Sequence, residues 1–196
     1  FKDYKITLIP PVSIHIFDVT RYSLIIPALT KSAQWGFSGW LTEAMGAPTP
    51  VSALLHAATM VTAGNFLLLR GSSLWTYSLC FNYLIPSIGG LTTLSAGIAA
   101  STTSDKKKMI GYSTTSQLGY ICLSCGLSNY SGAMLHLFTH AFFKGLLFLA
   151  AGGVLHSVGY EQDLDHFGGW NKGLPAGYIF ILIGILSLLG LPFYTG

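Results

Sequence analysis

The sequence predicts an all-α integral membrane protein with about six transmembrane helices. Three observations predict it. Only 9% of the 196 residues are charged and the mean hydropathy is +0.57, a balance typical of membrane chains rather than soluble ones. Two long stretches, Gly71 to Ser104 and Met109 to Phe143, contain no Lys, Arg, Asp or Glu. The apolar segments also recur at lengths near the ~20 residues that carry a helix across a hydrocarbon core of about 30 Å.

Residues 1–21, with Pro10-Pro11, Asp18 and Arg21, read as a loop or interfacial segment. The start, FKDYKITLIPPV, has no initiator Met and no cleavable-leader pattern, so the chain is expected to begin inside a longer protein. Residues 22–196 read as one transmembrane domain. Its first span, about 22–41, is interrupted by Pro27, Gly36 and Gly39 and carries Lys31 near its middle. Such breaks are tolerated where protein or water re-satisfies the freed backbone groups, and a broken helix carrying a lysine is a device of ion-translocating proteins. The second span, about 51–69, follows Pro48 and Pro50 and bears His56, Thr59 and Thr62 as a polar stripe. In the third, about 77–100, Pro86 and Gly89-Gly90 are expected to kink or loosen the helix. Asp105 is expected to cap the next helix, and Lys106 to Lys108 to form a solvated or headgroup-facing turn.

The fourth span, about 109–127, has an uncharged polar middle, YSTTSQLGY, which suits an interior or water-facing side and makes Ser113 and Ser116 candidate lining residues. The fifth, about 131–156, carries His136, Thr139, His140 and Lys144 within an otherwise apolar run. A loop, 157–173, leads to the sixth, about 174–194, broken near Pro192. The interrupted first and sixth spans are expected to mark corresponding halves of an internal repeat. Orientation is balanced: Lys2, Lys5, Arg21 and Arg70 fall on one side, and Lys106, Lys107, Lys108 and Lys172 on the other.

Composition excludes several classes. Net charge is +3, but three of the positive charges form one lysine run, so there is no dispersed basic face and no nucleic-acid partner is expected. The three cysteines, Cys80, Cys122 and Cys125, all sit in apolar segments and do not suggest a disulfide framework. Cys122 and Cys125 spell C-x-x-C, but no second ligand pair accompanies them and packing is their expected role.

Five titratable groups stand out inside the apolar spans: Lys31, His56, His136, His140 and Lys144. The last three recur every fourth residue, so they share one helix face over about 12 Å. Neighbouring rungs, about 6 Å apart, are too far for direct hydrogen bonds, and a water would close each gap. A lysine at mid-span costs about 2.5–3.5 kcal/mol on insertion scales, so its presence points to function. Histidine titrates in the right range to relay protons. Plainer readings exist for each: snorkelling for Lys144, a re-entrant loop for Lys31, a satisfied interior histidine at His56, and a metal pair at His136 and His140. The protease form of that pair needs Glu after the first His, where this chain has Leu137. No metal site is expected, and His156 and His166 are assigned no role.

At these residues the chain resembles the subunit 5 family of NADH dehydrogenase, antiporter-like subunits in the membrane arm of respiratory complex I. The segments carrying the resemblance are KSAQWGFSGWLTEAM, GAPTPVSALLHAATMVTAGNFLLLR, DKKKMIGYSTTSQLGY, HLFTHAFFKGLLFLAAGGVLHS, EQDLDHFGGWNKGLP and LLGLPFYTG, in that order. They cover nearly all of residues 30–196. The resemblance implies part of an inverted-repeat antiporter-like bundle with broken helices. It implies roles for Lys31 at the broken helix of the first half-channel, for His56 in passing protons inward, and for His136, His140 and Lys144 at the centre. Thr62 stands where related cation/proton antiporter subunits usually carry Lys, Thr42 where the family usually has Pro, and Gly145 where it usually has Ala. The resemblance implies that a glutamate pairing with the first lysine, a terminal lysine and a long lateral helix are expected outside these 196 residues. A second polypeptide supplying them, or a partial chain, is expected.

The implied function is that of a proton-translocating, non-redox subunit of NADH:ubiquinone oxidoreductase. NADH, FMN, Fe–S clusters and ubiquinone would be bound by other subunits, and this chain would bind no cofactor. Expected partners are other membrane-arm subunits, especially a subunit 4 type antiporter-like chain, and membrane lipid; the expected location is the mitochondrial inner membrane, ahead of a bacterial plasma membrane. The alternative is a subunit of a cation/proton antiporter without redox coupling. A structural subunit that has lost transport, and an intramembrane metalloprotease, are further rivals.

Overall fold

The computed structural model describes residues 5–9, 12–75, 79–157, 159, 162–163 and 173–194. Two short strands, β1 (Lys5–Ile9) and β2 (Val12–His15), pair antiparallel, with Lys5 opposite His15 and Ile6 opposite Ile14. Beyond His15 the described regular structure is helical apart from an isolated bridge between Asp105 and Asp163. Of the loop or interfacial segment expected over 1–21, the loop is corrected: β-branched residues build a hairpin and the first helix already starts at Ile16. Pro10 and Pro11 lie outside the described residues.

Helix α1 (Ile16–Lys31) passes through Pro27 and stops at Lys31. The stop is a left-handed helix end. Gln34 N–H donates to the Leu29 carbonyl at 3.0 Å and Ala33 N–H to the Thr30 carbonyl at 3.3 Å, with Ala33 at φ +50°. Lys31 thus occupies the last helical position, where its charge suits the helix dipole, rather than the middle of a span. The segment after it is tied down by Trp35 N–H on Thr92 Oγ1 (2.9 Å) and leads to α2 (Gly39–Glu43) and a 3₁₀ turn, Ala44–Gly46.

The span expected over 51–69 is two helices, α3 (Thr49–Ala57) and α4 (Met60–Arg70), broken at Ala58 and Thr59. No Pro or Gly stands at the break. Instead the Thr59 hydroxyl donates to the Leu54 carbonyl at 2.9 Å, five residues back, and takes over an acceptor that the helix ladder releases. A short helix, α5 (Ser72–Trp75), turns the chain, with Trp75 Nε1 donating to the Leu68 carbonyl at 2.8 Å.

The third span is a single continuous helix, α6 (Leu79–Thr102), of 24 residues that runs through Pro86. Its proline and glycines serve close approach to α7 (Lys106–Gly126). A Cβ on Gly126 would lie 2.3 Å from Pro86 Cδ, and a Cβ on Gly119 would lie 2.9 Å from the Gly89 carbonyl. Asp105 precedes α7 without a side-chain capping bond and pairs with Lys108 instead. The lysine run is also corrected: Lys106 and Lys107 are buried, at 4% and 7% exposure, and Lys107 Nζ donates to the Ala47 carbonyl at 2.8 Å.

Helix α8 (Tyr130–Ser157) is central, packing on α3, α4, α7 and the last helix, α9 (Pro175–Leu188). Glu161, Asp165, His166 and Lys172 of the intervening loop lie outside the described residues. Helix α9 ends four residues before Pro192, with Gly190 at φ +65°, so the break expected there is present. By length and hydropathy three segments among the described residues qualify as membrane spans: Thr49–Arg70, Phe81–Thr102 and Tyr130–Ser157. Helix α7 is as long but more polar, and α9, at 14 residues, spans only about 21 Å.

Candidate functional site

The interior meeting point of α3, α7 and α8 is built around Lys144, which is fully buried. Helix α8 can hold it there because Phe143, Leu147 and Phe148 on the same element are buried around it, so the four-carbon stem is packed before the amine is reached. The amine donates to Ser113 Oγ of α7 at 2.6 Å. Snorkelling is thereby set aside, since the head group ends on a protein hydroxyl inside the bundle.

His140, one turn earlier on α8, is also fully buried. It meets Phe143 edge-on, with centroids 5.4 Å apart. The Ala57 carbonyl, one of those released where α3 ends, approaches the His140 ring without hydrogen-bond alignment. His56, in the last turn of α3, is fully buried and stacks on Phe148 at 5.7 Å. Lys144 lies within electrostatic reach of both histidines, and His140 within reach of His136. Both ring nitrogens of His56 and of His140, and Nε2 of His136, have no protein hydrogen-bond partner among the described residues. Buried imidazole nitrogens take such partners, commonly ordered water.

The structure therefore gathers His56, His140, Lys144 and Ser113, with His136 half-buried one turn further out. Lys31 stands apart from them. It is exposed on the edge of the fold and lines a hollow with Thr30, Trp40 and Met60, the first residue of α4 beyond the break. The other polar residues named from sequence divide by their bonds. Ser116 donates to the Thr93 carbonyl of α6 at 3.1 Å, tying two helices together. Thr59, Thr62 and Thr139 each bond a carbonyl of their own segment. No third His, Cys, Asp or Glu joins His136 and His140 in a metal-binding set among the described residues.

Two contributors were not visible as such in the sequence. Phe148 continues the four-residue periodicity of His136, His140 and Lys144, but nothing in the chain marks it as the ring on which His56 rests. Lys107 holds the turn before α3 by the Ala47 carbonyl, and by the Met45 carbonyl at 3.5 Å, although a run of three lysines reads as solvated.

A bundle of apolar helices with broken segments and a buried lysine facing two buried histidines defines a multi-pass membrane protein with a titratable interior. The chain belongs to the family described as NADH:quinone oxidoreductase/Mrp antiporter, transmembrane, whose model matches residues 13–196. It is 52% identical over 95% of its length to NADH-ubiquinone oxidoreductase chain 5 of Acanthamoeba castellanii, and 48% identical over 97% to that of Rhizopus stolonifer. The match covers 28% and 29% of those two relatives, so the chain spans under a third of their length. Among solved structures it is similar to a chain of the Mrp complex from a Dietzia species. The TM-score is 0.85 with 36% identity, over 90% of this chain and 20% of that one.

Proposed function

We propose that this chain is part of the antiporter-like subunit 5 of NADH:ubiquinone oxidoreductase and moves protons across the mitochondrial inner membrane. The observation that carries the reading is Lys144, buried and held by Ser113 with His56 and His140 beside it. A lysine so placed can hold a proton and surrender it when a neighbouring charge changes, and the histidines provide the next stations. Water completes the gaps between rings and amine. Lys31, at a broken helix end, serves as an outer station, and His136 as the station beyond His140. The chain acts as a non-redox subunit; NADH, FMN, Fe–S clusters and ubiquinone belong to other subunits, and its nearest neighbours are membrane-arm chains of subunit 4 type.

Identity of 48–52% to chain 5 relatives supports this reading over a cation/proton antiporter, as does Thr62 in place of the antiporters' usual lysine. The test is mild solubilisation, native separation and mass spectrometry of the species containing the chain, followed by proton uptake in sealed membranes. Co-migration with NADH-oxidising subunits and NADH-dependent proton movement are expected. Migration without any redox subunit, with proton flux driven by Na⁺ or K⁺ instead, would establish the antiporter reading.

A further inference from the structure

Ser113 has two hydrogen-bond partners. Its hydroxyl donates to the Ile110 carbonyl at 2.9 Å and accepts from Lys144 Nζ at 2.6 Å. A serine hydroxyl has one proton to give. With that proton on a carbonyl three residues back, the direction of the oxygen lone pairs is set by the backbone of α7 and not by Lys144. Ser113 also lines a cavity of about 430 Å³ between α7, α8 and α9, whose other walls include Lys106, Ile110, Leu147, Ile181 and Ile185. Lys144 itself is fully buried behind that wall; its amine is fixed on Ser113, with His56 and His140 as its titratable neighbours.

We propose that Ser113 is the positioning residue of this relay: its pre-oriented oxygen holds the Lys144 ammonium in place beside His56 and His140 and sets how firmly Lys144 keeps its proton. The proposal rests on the proton-translocating reading above. An ammonium N–H gives a stronger hydrogen bond than a neutral amine, so an acceptor fixed in place favours the protonated form. Because the serine proton is committed to Ile110, Ser113 holds Lys144 rather than passing a proton itself. The titratable and charged groups about this pair are His56 from α3 and His140 from α8, both within electrostatic reach of Lys144, His136 beyond His140, and Lys106 of α7 on the cavity wall; α4 packs on α8 with the buried, untitratable Thr62 and Asn65, and α9 brings Ile181 and Ile185 to the cavity. All of them remain when only Ser113 is changed.

The experiment is NADH-driven proton uptake against pH, in sealed membranes holding the full-length protein in its assembled complex. Pumping that depends on protonated Lys144 declines on the alkaline side. In Ser113→Ala the ammonium loses a charge-assisted bond, and the decline moves to lower pH by about one unit. Ser113→Thr keeps the hydroxyl and restores the profile. Ser113→Cys, with a weak acceptor of similar size, shifts in the same direction and serves if the alanine variant does not assemble. A purely structural serine would lower the amount of complex without moving the profile. Lys144→Met is run in parallel. If it abolishes the pH-dependent component while Ser113→Ala and Ser113→Cys keep the parental profile, the role given to Ser113 is overturned alone. If Lys144→Met pumps normally, the relay reading fails and this inference with it.

Discussion

His56 lies on Phe148, with ring centroids 5.7 Å apart and ring planes 26° from parallel. Phe148 follows Lys144 by four residues, so one face of α8 presents the amine and, one turn on, the ring that holds the histidine of α3. The stack keeps His56 in register with Lys144 although the helix beneath it ends one residue later. Phe148→Ala removes a fully buried ring and should cost about 3–5 kcal/mol. It should lower the thermal midpoint of the purified protein and slow proton transfer, while Phe148→Leu does both to a smaller degree. An unchanged midpoint in Phe148→Ala would show that the ring does not bear on His56.

The seam between α6 and α7 depends on having no side chain at Gly126. Alanine there would place its Cβ 2.3 Å from a ring atom of Pro86, which cannot rotate away. Gly126→Ala should destabilise by about 1–3 kcal/mol. A Cβ added at Gly97 would meet nothing within 4 Å, so Gly97→Ala should be neutral or up to about 1 kcal/mol stabilising, because alanine favours helix. Thermal melting of the two variants side by side checks the contrast.

Lys107 grips the turn that launches α3, and through α3 it sets the height of His56. Lys107→Met removes two contacts to carbonyls, at Ala47 and Met45, and should cost about 1.5–3 kcal/mol. Amide exchange measured over residues 44–50 should rise in this variant, while Lys108→Met, which loses only a surface pair with Asp105, should leave it near the parental level.

How far the sequence could be read follows from where each signal resides. Lys144 was legible because a charge inside an apolar run of membrane length has few explanations, and the four-residue spacing set His140 on its face. The left-handed stop after Lys31 was half legible: Gly36 and Gly39 advertised a break and Gly36 does take a φ of +87°, but the residue that closes the helix, at φ +50°, is Ala33. The break at Ala58 and Thr59 was illegible, because no residue there forbids helix. It is accompanied by one local bond, the Thr59 hydroxyl on the Leu54 carbonyl, and by one tertiary neighbour, His140 of α8, which a linear pattern does not encode. Pro86 was legible as a proline inside a span, but not the close seat that Gly126 of α7 gives its ring, which depends on a residue 40 positions away. Lys106 and Lys107 misled because burial of a lysine depends on carbonyls and walls supplied from far along the chain.

The role of Lys144 is tested most directly by the number of protons moved per NADH oxidised in sealed membranes carrying Lys144→Met. The substitution keeps the length and apolar stem of the side chain and removes the charge. The prediction is an assembled complex that oxidises NADH and moves fewer protons per NADH than the parental form, with Lys144→Arg intermediate or equally impaired because its guanidinium does not release a proton. An assembled Lys144→Met complex with the parental proton yield would contradict this role, and the buried amine would then have no part in translocation.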